Sequence, residues 1–311
     1  MQNIINGYYD RIEDIVDLHL MENVFDRDMA LERVRVDPFN DYISDRQFKA
    51  RYRFDKRNCN QLVQMLMPFF DIQRRGLPVT PQQIVCSGLE IMAGGHFFRV
   101  NGYGGGLGTS TAWKCLYRLT DALLMPEIRE RFLHMPTQDQ QAVNMRDVFN
   151  KYGMHNIIGA VDGCHIPFLE RPRNLPPGRN HVTFINRKGS YSINAQIVGG
   201  MDRRIYDILL SAPGSFHDAA VWQMSQAKAY LSTLNPRHYV LGDAAYPISD
   251  HCLTPYSENE VQASFSKALF NIRHSGARVE QTECIYGMLK RRFPIVKNIR
   301  HIQNIIFFTQ P

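Results

Sequence analysis

The sequence predicts a mixed α/β chain, with an all-helical N-terminal half and a second half built on a mixed sheet. Three observations carry this. Apolar residues recur at helical spacing up to about residue 153, the period shortens to that of strands at Asn156, and the short β-rich runs beyond it end in Gly or Asp-Gly turns.

Taken in order, Ile5, Tyr8, Ile12, Ile15 and Val16 follow helical spacing, as do Leu62, Val63, Leu66 and Met67. Thr80-Pro81 reads as a cap with Pro at the first helical position, opening a helix that buries Ile84, Val85, Leu89 and Met92 and stops at Gly94-Gly95. A glycine-rich turn from Asn101 to Gly108 leads to Thr109 or Ser110 as the cap of a helix carrying Trp113, Leu116, Leu119 and Leu123. Helix, tight turn and capped helix make this region helix-turn-helix-like. The glycines fit no phosphate-binding register and no strand precedes them. Helices over Glu127–Met135 and Gln138–Tyr152 follow, the second closed by Gly153.

Beyond Asn156, the strands expected are Ile157–Val161, ended by Asp162-Gly163; Ser192–Val198; Ile205–Leu210, reached by a hairpin at 201–204; and Tyr239–Leu241, ended by Gly242-Asp243. A Pro/Gly/Arg-rich loop, 171–189, joins the first two, and a helix from about Asp218 to Leu234 precedes the fourth. Three strands, a crossover helix, a strand and a later helix are the order of an RNase H-like mixed sheet. The division expected is an acidic helical segment over 1–55, a helix-turn-helix-like domain over 56–153 and the sheet domain over 154–311.

The 311 residues are 44% hydrophobic, enough for a sizeable core, which excludes a disordered tail protein. Six cysteines show no C-x-x-C pair, so neither a zinc ribbon nor a disulfide scaffold is expected, and a reducing compartment fits. With no signal-peptide pattern and no apolar run of membrane-spanning length, an intracellular soluble protein without a membrane partner is expected. Residues 1–50 hold 11 acids against 6 bases, which leaves net +11 on the rest of a chain of formal charge +6. A basic body suggests a polyanion partner.

Asp162 and Asp243 each follow an apolar strand, where ligands of open α/β sheets sit. Asp218 starts a helix after Pro213-Gly-Ser-Phe-His217 and reads equally as an N-cap or as a metal ligand. Glu280 and Glu283 stand on a helical stretch that ends in Lys290-Arg-Arg-Phe293. A cluster of oxygen donors suits Mg²⁺ or Mn²⁺ rather than zinc. Cys164-His165 has no second pair at ligand spacing, and no G-x-S-x-G elbow supports a serine hydrolase.

The ordered strings Gly159-Ala-Val-Asp162-Gly-Cys-His-Ile166, Asn186-Arg-Lys-Gly189, Ser192-Ile-Asn194, Pro213-Gly-Ser-Phe-His-Asp218, Leu241-Gly-Asp243-Ala-Ala-Tyr246-Pro247 and Gly287-Met-Leu-Lys290-Arg-Arg-Phe293 resemble the PIF/Harbinger DDE transposases and the Harbinger transposase-derived nucleases. The resemblance runs from about residue 55 to 300. It implies a DDE nuclease domain of RNase H-like fold, in which a divalent metal cation, Mg²⁺ or Mn²⁺, is the cofactor for DNA phosphodiester cleavage by two-metal-ion catalysis. Asp162, Asp243 and Glu283 correspond to the catalytic metal ligands, and Asp218 to a further metal-site residue. For the third carboxylate, counting back from Phe293 lands on Glu283, whereas counting forward from His274 and Arg278 falls between Glu280 and Glu283. Family members continue with another helix where this chain ends in Ile305-Ile-Phe-Phe-Thr-Gln-Pro311.

A DNA-cutting enzyme must hold phosphates. Residues 271–311 carry seven bases against two acids, and Arg171, Arg173, Arg179, Arg187 and Lys188 add more around the long loop. The DNA contacts expected are Arg187, Lys188, Arg278, Lys290, Arg291 and Arg292. The helix at Thr109 offers only Lys114 and Arg118 for DNA, and the resemblance implies a separate Myb-like DNA-binding partner, residence in nucleus and cytoplasm, and room for a homo-oligomer. The acidic head suits a protein contact. The alternative function is a domesticated transposase that acts as a non-cleaving DNA- or protein-binding adaptor, since metal binding without turnover would look identical in sequence.

Overall fold

The computed structural model describes residues 35–40, 43–70, 78–94, 105–172, 175 and 180–297. The helix expected over Ile5–Val16, most of the acidic head, residues 101–104 of the glycine-rich turn, Arg173, Arg179, Arg300 and the last residues lie outside them.

The helical half contains α1 (Asp45–Tyr52), α2 (Lys56–Leu66), α3 (Pro81–Gly94), α4 (Thr109–Leu123) and α5 (Pro126–Phe132). Side chains close the helix ends that water would otherwise have to satisfy. Ser44 and Gln47 form a capping box on α1, and Thr80 and Gln83 exchange the same reciprocal bonds at the start of α3. Phe48, Tyr52, Cys59, Val63, Ile84, Leu89, Cys115 and Leu119 share one core. At Gly88 the helices α3 and α4 come so close that a Cβ would fall 2.5 Å from Leu119 Cδ2. On α4 the inward residues are Ala112, Cys115, Leu119 and Ala122, while Trp113 faces outward and lies 4.1 Å, centroid to centroid, from the Tyr117 ring. Gly108, rather than Thr109 or Ser110, holds the cap position of α4.

Helix α6 (Gln138–Tyr152) has a Thr137/Gln140 capping box and a left-handed Gly153 at its end, as expected. It packs with the sheet, because Val148 shares a cluster with Ile157, Ala160, Leu241 and Ala277. Packing therefore crosses both expected boundaries: Phe48 and Tyr52 join the core of the following helices, and α6 joins the sheet.

The sheet contains β1 (Ile157–Pro167), β2 (Ser192–Gly199), β3 (Ile205–Pro213), β4 (Tyr239–Leu241) and β5 (Cys252–Leu253) in the order β3-β2-β1-β4-β5. The pairs β1–β2 and β2–β3 are antiparallel, and β4 runs parallel to β1 and β5, so the sheet is mixed. The predicted crossover helix is two short ones, α7 (Asp218–Gln223) and α8 (Gln226–Leu231), because Ser225 caps the second. Their Trp222, Ala227 and Leu231 cover one face with Val161, Val198 and Val240. On the other lie α6 and α10 (Phe265–Arg278), and α9 (Glu258–Gln262) precedes α10. Alternation along a strand explains the division: Val161 and Val240 face α7 and α8, whereas Ala160 and Leu241 face α6 and α10.

After α10 the chain widens into a π turn, Val279–Glu283, then resumes as α11 (Cys284–Arg292). The Cys284 N–H bonds the Val279 carbonyl across the wider ring. Two side chains support the widened turn: Gln281 Nε2 donates to the Ala277 carbonyl at 3.0 Å, and Thr282 Oγ1 to the Arg278 carbonyl at 3.0 Å. Gln281 Oε1 accepts from Asn144 Nδ2 of α6 at 3.2 Å, and both Gln281 and Thr282 are fully buried.

Candidate active site

Asp162 lies inside β1, not at its end. Residues 162–167 keep strand geometry, despite a glycine, a histidine and a proline, because they pair with β2 from Ile197 to Ser192. The expectation that Asp162 terminates a strand is corrected by that long-range pairing, which local composition does not report. Asp243 does follow the end of β4 and sits in a turn where its Oδ1 accepts from the Ala245 N–H at 2.9 Å. The two carboxylates are nonetheless level. Leu241 is opposite Ala160 in parallel register, so two residues further along each chain Asp243 comes beside Asp162.

Pleating sends Asp162 to the face of Ala160, toward α10 and α11, and Gly163 to the opposite face. Arg278, the last residue of α10, reaches Asp162 Oδ1 with Nη1 at 3.4 Å and Glu283 Oε1 with Nη2 at 2.8 Å. The side chains of Asp162 and Arg278 are 13% and 16% exposed, and that of Glu283 is 48% exposed. Glu280 points elsewhere: it accepts from Lys151 Nζ and, at 2.6 Å, from the Tyr152 hydroxyl. Tyr286 of α11 donates its hydroxyl to the carbonyls of Asp162 and Ala195, at 3.2 and 2.5 Å, which pins α11 over β1 and β2. Burial pushes the Asp162 carboxyl up to about 6; Arg278 opposes this, and the nearby charges of Asp243 and Glu283 add to it.

Asp218 is not brought to this group. A Cβ on Gly163 would fall 2.3 Å from Asp218 Oδ1, which places Asp218 across the sheet from the Asp162 side chain. It is the first residue of α7, after His217 at the cap position, so the N-cap reading also fails. Its Oδ1 accepts from Asn194 Nδ2 at 2.7 Å. His165 shares that face; burial lowers its pKa, Asp218 opposes the shift, and Arg187 and Lys188 add to it.

Among the expected DNA contacts, Arg187, Lys188, Arg291 and Arg292 are exposed. Lys290 is half-buried, with Nζ 2.7 Å from Cys164 Sγ and 5.7 Å from the Tyr286 ring centroid. Arg292 donates to the Arg53 carbonyl and lies over the Phe54 ring, tying α11 to the helical half. Arg278, bound to two carboxylates, lies inside the candidate site rather than on an open basic face.

The sequence motifs assign no role to Asn194, Tyr286 or Gln196. A signal existed for two of them. Ser192, Asn194 and Gln196 alternate with Ile193, Ala195 and Ile197 along a strand whose residues are all buried. A polar face on a buried central strand needs partners, and these are His165 and Asn186 for Ser192, Asp218 for Asn194 and Tyr246 for Gln196.

Among the described residues, no three His, Cys, Asp or Glu side chains are gathered closely enough to hold an ion as they stand. The chemistry of the donors nevertheless fits a hard divalent cation: Asp162, Asp243 and Glu283 are all-oxygen, and the charges of Asp243 and Glu283 lie close enough to Asp162 to raise its proton affinity. What separates Asp162 from Glu283 is the Arg278 guanidinium.

At Gly199 the end of β2 abuts the π turn, and a Cβ would fall 2.4 Å from the Gln281 carbonyl oxygen and 2.5 Å from Ile285 Cδ1. Gly199→Ala is expected to destabilise the fold by about 1–3 kcal/mol and to displace the turn that carries Glu283. Urea unfolding measures this, and a loss below about 0.5 kcal/mol would show that the contact yields.

Residues 161–308 match the family model described as DDE superfamily endonuclease. The chain is 26% identical over 258 residues to the candidate nuclease HARBI1 of Rattus norvegicus, spanning 81% of this chain and 70% of that one. It is 23% identical to HARBI1 of Homo sapiens over the same length and shares. It is 25% identical over 240 residues to protein ALP1-like of Arabidopsis thaliana, spanning 72% of this chain and 56% of that one. No solved structure matches the chain.

Proposed function

We propose that this chain is a Harbinger-type DDE endonuclease, a divalent-metal-dependent enzyme that cleaves DNA phosphodiester bonds, with Asp162, Asp243 and Glu283 as its metal ligands. The observation that carries the reading is the convergence of these three carboxylates, from β1, the end of β4 and the π turn, on one sheet face. Asp162, Asp243 and Glu283 would hold Mg²⁺ or Mn²⁺, which would supply activation of an attacking water or hydroxyl and charge stabilisation for the leaving oxygen. The protein supplies the rest. Tyr286 holds the backbone at Asp162, the Asp243 turn is closed by the Ala245 N–H, and the buried Gln281–Asn144 pair fixes the turn beneath Glu283. Asp218 and Asn194 brace Gly163 from the opposite face, as positioning residues.

The sheet order β3-β2-β1-β4-β5 supports an RNase H-like core, and α3 and α4 a helix-turn-helix-like region. Lys290, near Cys164 on the Asp162 face, with Arg291, Arg187 and Lys188 at the surface, provides positive charge for DNA phosphates. On α4, Arg118 is laid over the Phe70 ring, so the helix offers little base-reading charge, in keeping with a separate Myb-like partner for sequence recognition. Among the described residues no helix is long and apolar enough to cross a membrane.

The test is nicking of supercoiled plasmid by the purified chain with Mn²⁺, with EDTA, and with an RNA competitor. Cleavage that depends on Mn²⁺ is expected. Binding of Mn²⁺ without cleavage of any DNA offered would replace the nuclease by the non-cleaving adaptor.

A further inference from the structure

We infer that Arg278 is the resident counter-cation of the metal-free site: it holds Asp162 and Glu283 together, and a divalent ion must displace it from at least one of them to bind. The inference rests on the nuclease reading above and assigns a role within that site.

Three observations carry it. The guanidinium is largely buried between the two carboxylates, within 3.4 Å of one and 2.8 Å of the other, and it spends both terminal nitrogens on them. Its place is also built by the backbone. Arg278 and Glu283 are five residues apart, which in a regular α-helix sets side chains about 140° apart around the axis. The π turn, bonded from Cys284 N–H to the Val279 carbonyl, widens that ring and brings both to one side. Finally, the turn is held in this form by Gln281, Thr282 and Asn144, none of which touches the carboxylates themselves. The five-residue spacing also accounts for the two counts of the third carboxylate, because the wide turn accommodates one residue more than the four that separate neighbours along an α-helical face.

A guanidinium and a divalent cation satisfy the same carboxylates and cannot both do so fully. Arg278 therefore keeps the ligands in place before the ion arrives and weakens the ion's apparent affinity. It is a positioning residue, not a catalytic one.

The experiment is calorimetric titration of Mn²⁺ into the full chain, alongside thermal unfolding with EDTA and with saturating Mn²⁺. Arg278→Gln is expected to bind Mn²⁺ at least tenfold more tightly than the wild type. It should melt several degrees lower without metal, and this gap should narrow when Mn²⁺ is saturating. Arg278→Lys, which keeps the charge but not the forked donor, is expected between the two and serves if the glutamine variant does not fold. Equal or weaker Mn²⁺ binding by the variant tested, while Asp162→Asn abolishes wild-type binding, would overturn this inference alone. No Mn²⁺ binding at millimolar metal by the wild type or by either Arg278 variant would overturn the nuclease reading, and this inference with it.

Discussion

Asp162→Asn and Asp243→Asn are each expected to reduce Mn²⁺-dependent nicking at least about a thousandfold, a loss of about 4 kcal/mol of transition-state stabilisation. In the proposed mechanism, either change removes a charged oxygen from the three that would share the ions. Plasmid nicking under single-turnover conditions measures it, and near-normal cleavage by either variant would remove that aspartate from the mechanism. Asp162 also carries a stability signature of the opposite sign. Its carboxyl is raised to about 6 in the folded chain, chiefly by burial, from an ordinary value of 3.8. Between those values the folded state binds more protons than the unfolded one, so this group's contribution to stability falls as pH rises from about 4 to about 6 and stays low above. At about 1.4 kcal/mol per pH unit the cost at neutral pH approaches 3 kcal/mol. Metal-free Asp162→Asn should therefore be about 1–3 kcal/mol more stable than wild type at pH 7.5, and equal to it near pH 4. Saturating Mn²⁺ should close or reverse the difference, because the ion stabilises only the protein that binds it. Urea unfolding in EDTA at the two pH values decides the matter, and a variant less stable at pH 7.5 would show that the Arg278 pairing outweighs the burial.

Glu283→Gln is expected to lower nicking by at least a hundredfold, while Glu280→Gln should leave it within about threefold of wild type. Glu283 shares Arg278 with Asp162, whereas Glu280 is turned to Lys151 and Tyr152 at the surface of α6. The pair of variants is more informative than either alone, since both remove one charge from the same short helical stretch. An exchange of the two phenotypes would mean that the π turn is not the form in which the protein cuts DNA.

Much of the site was legible before any fold was known. Asp162 and Asp243 stand out because each carboxylate follows an apolar, β-rich run, and the run of motifs from Gly159 to Phe293 orders them. The third carboxylate was not legible by counting, since the π turn adds a residue that α-helical spacing does not foresee. The face of the sheet that Asp218 meets was not legible either. Its partner, Asn194, belongs to a strand distant in sequence.

What the sequence determined by itself is local: where helices and strands lie, which carboxylates stand near strand ends, and that the chain beyond residue 50 is basic. These follow from periodicity, caps and charge, which act over a few residues. The tertiary structure alone decided what depends on pairing and pleat. It extended β1 past Asp162, set Asp243 level with it, sent Asp218 to the opposite face, and converted Arg278 from a presumed phosphate contact into the cation between two carboxylates. The physical reason is that register and helix phase are fixed by contacts between residues far apart in the chain: a shift of one residue reverses the face of a strand side chain and turns a helical one by about 100°.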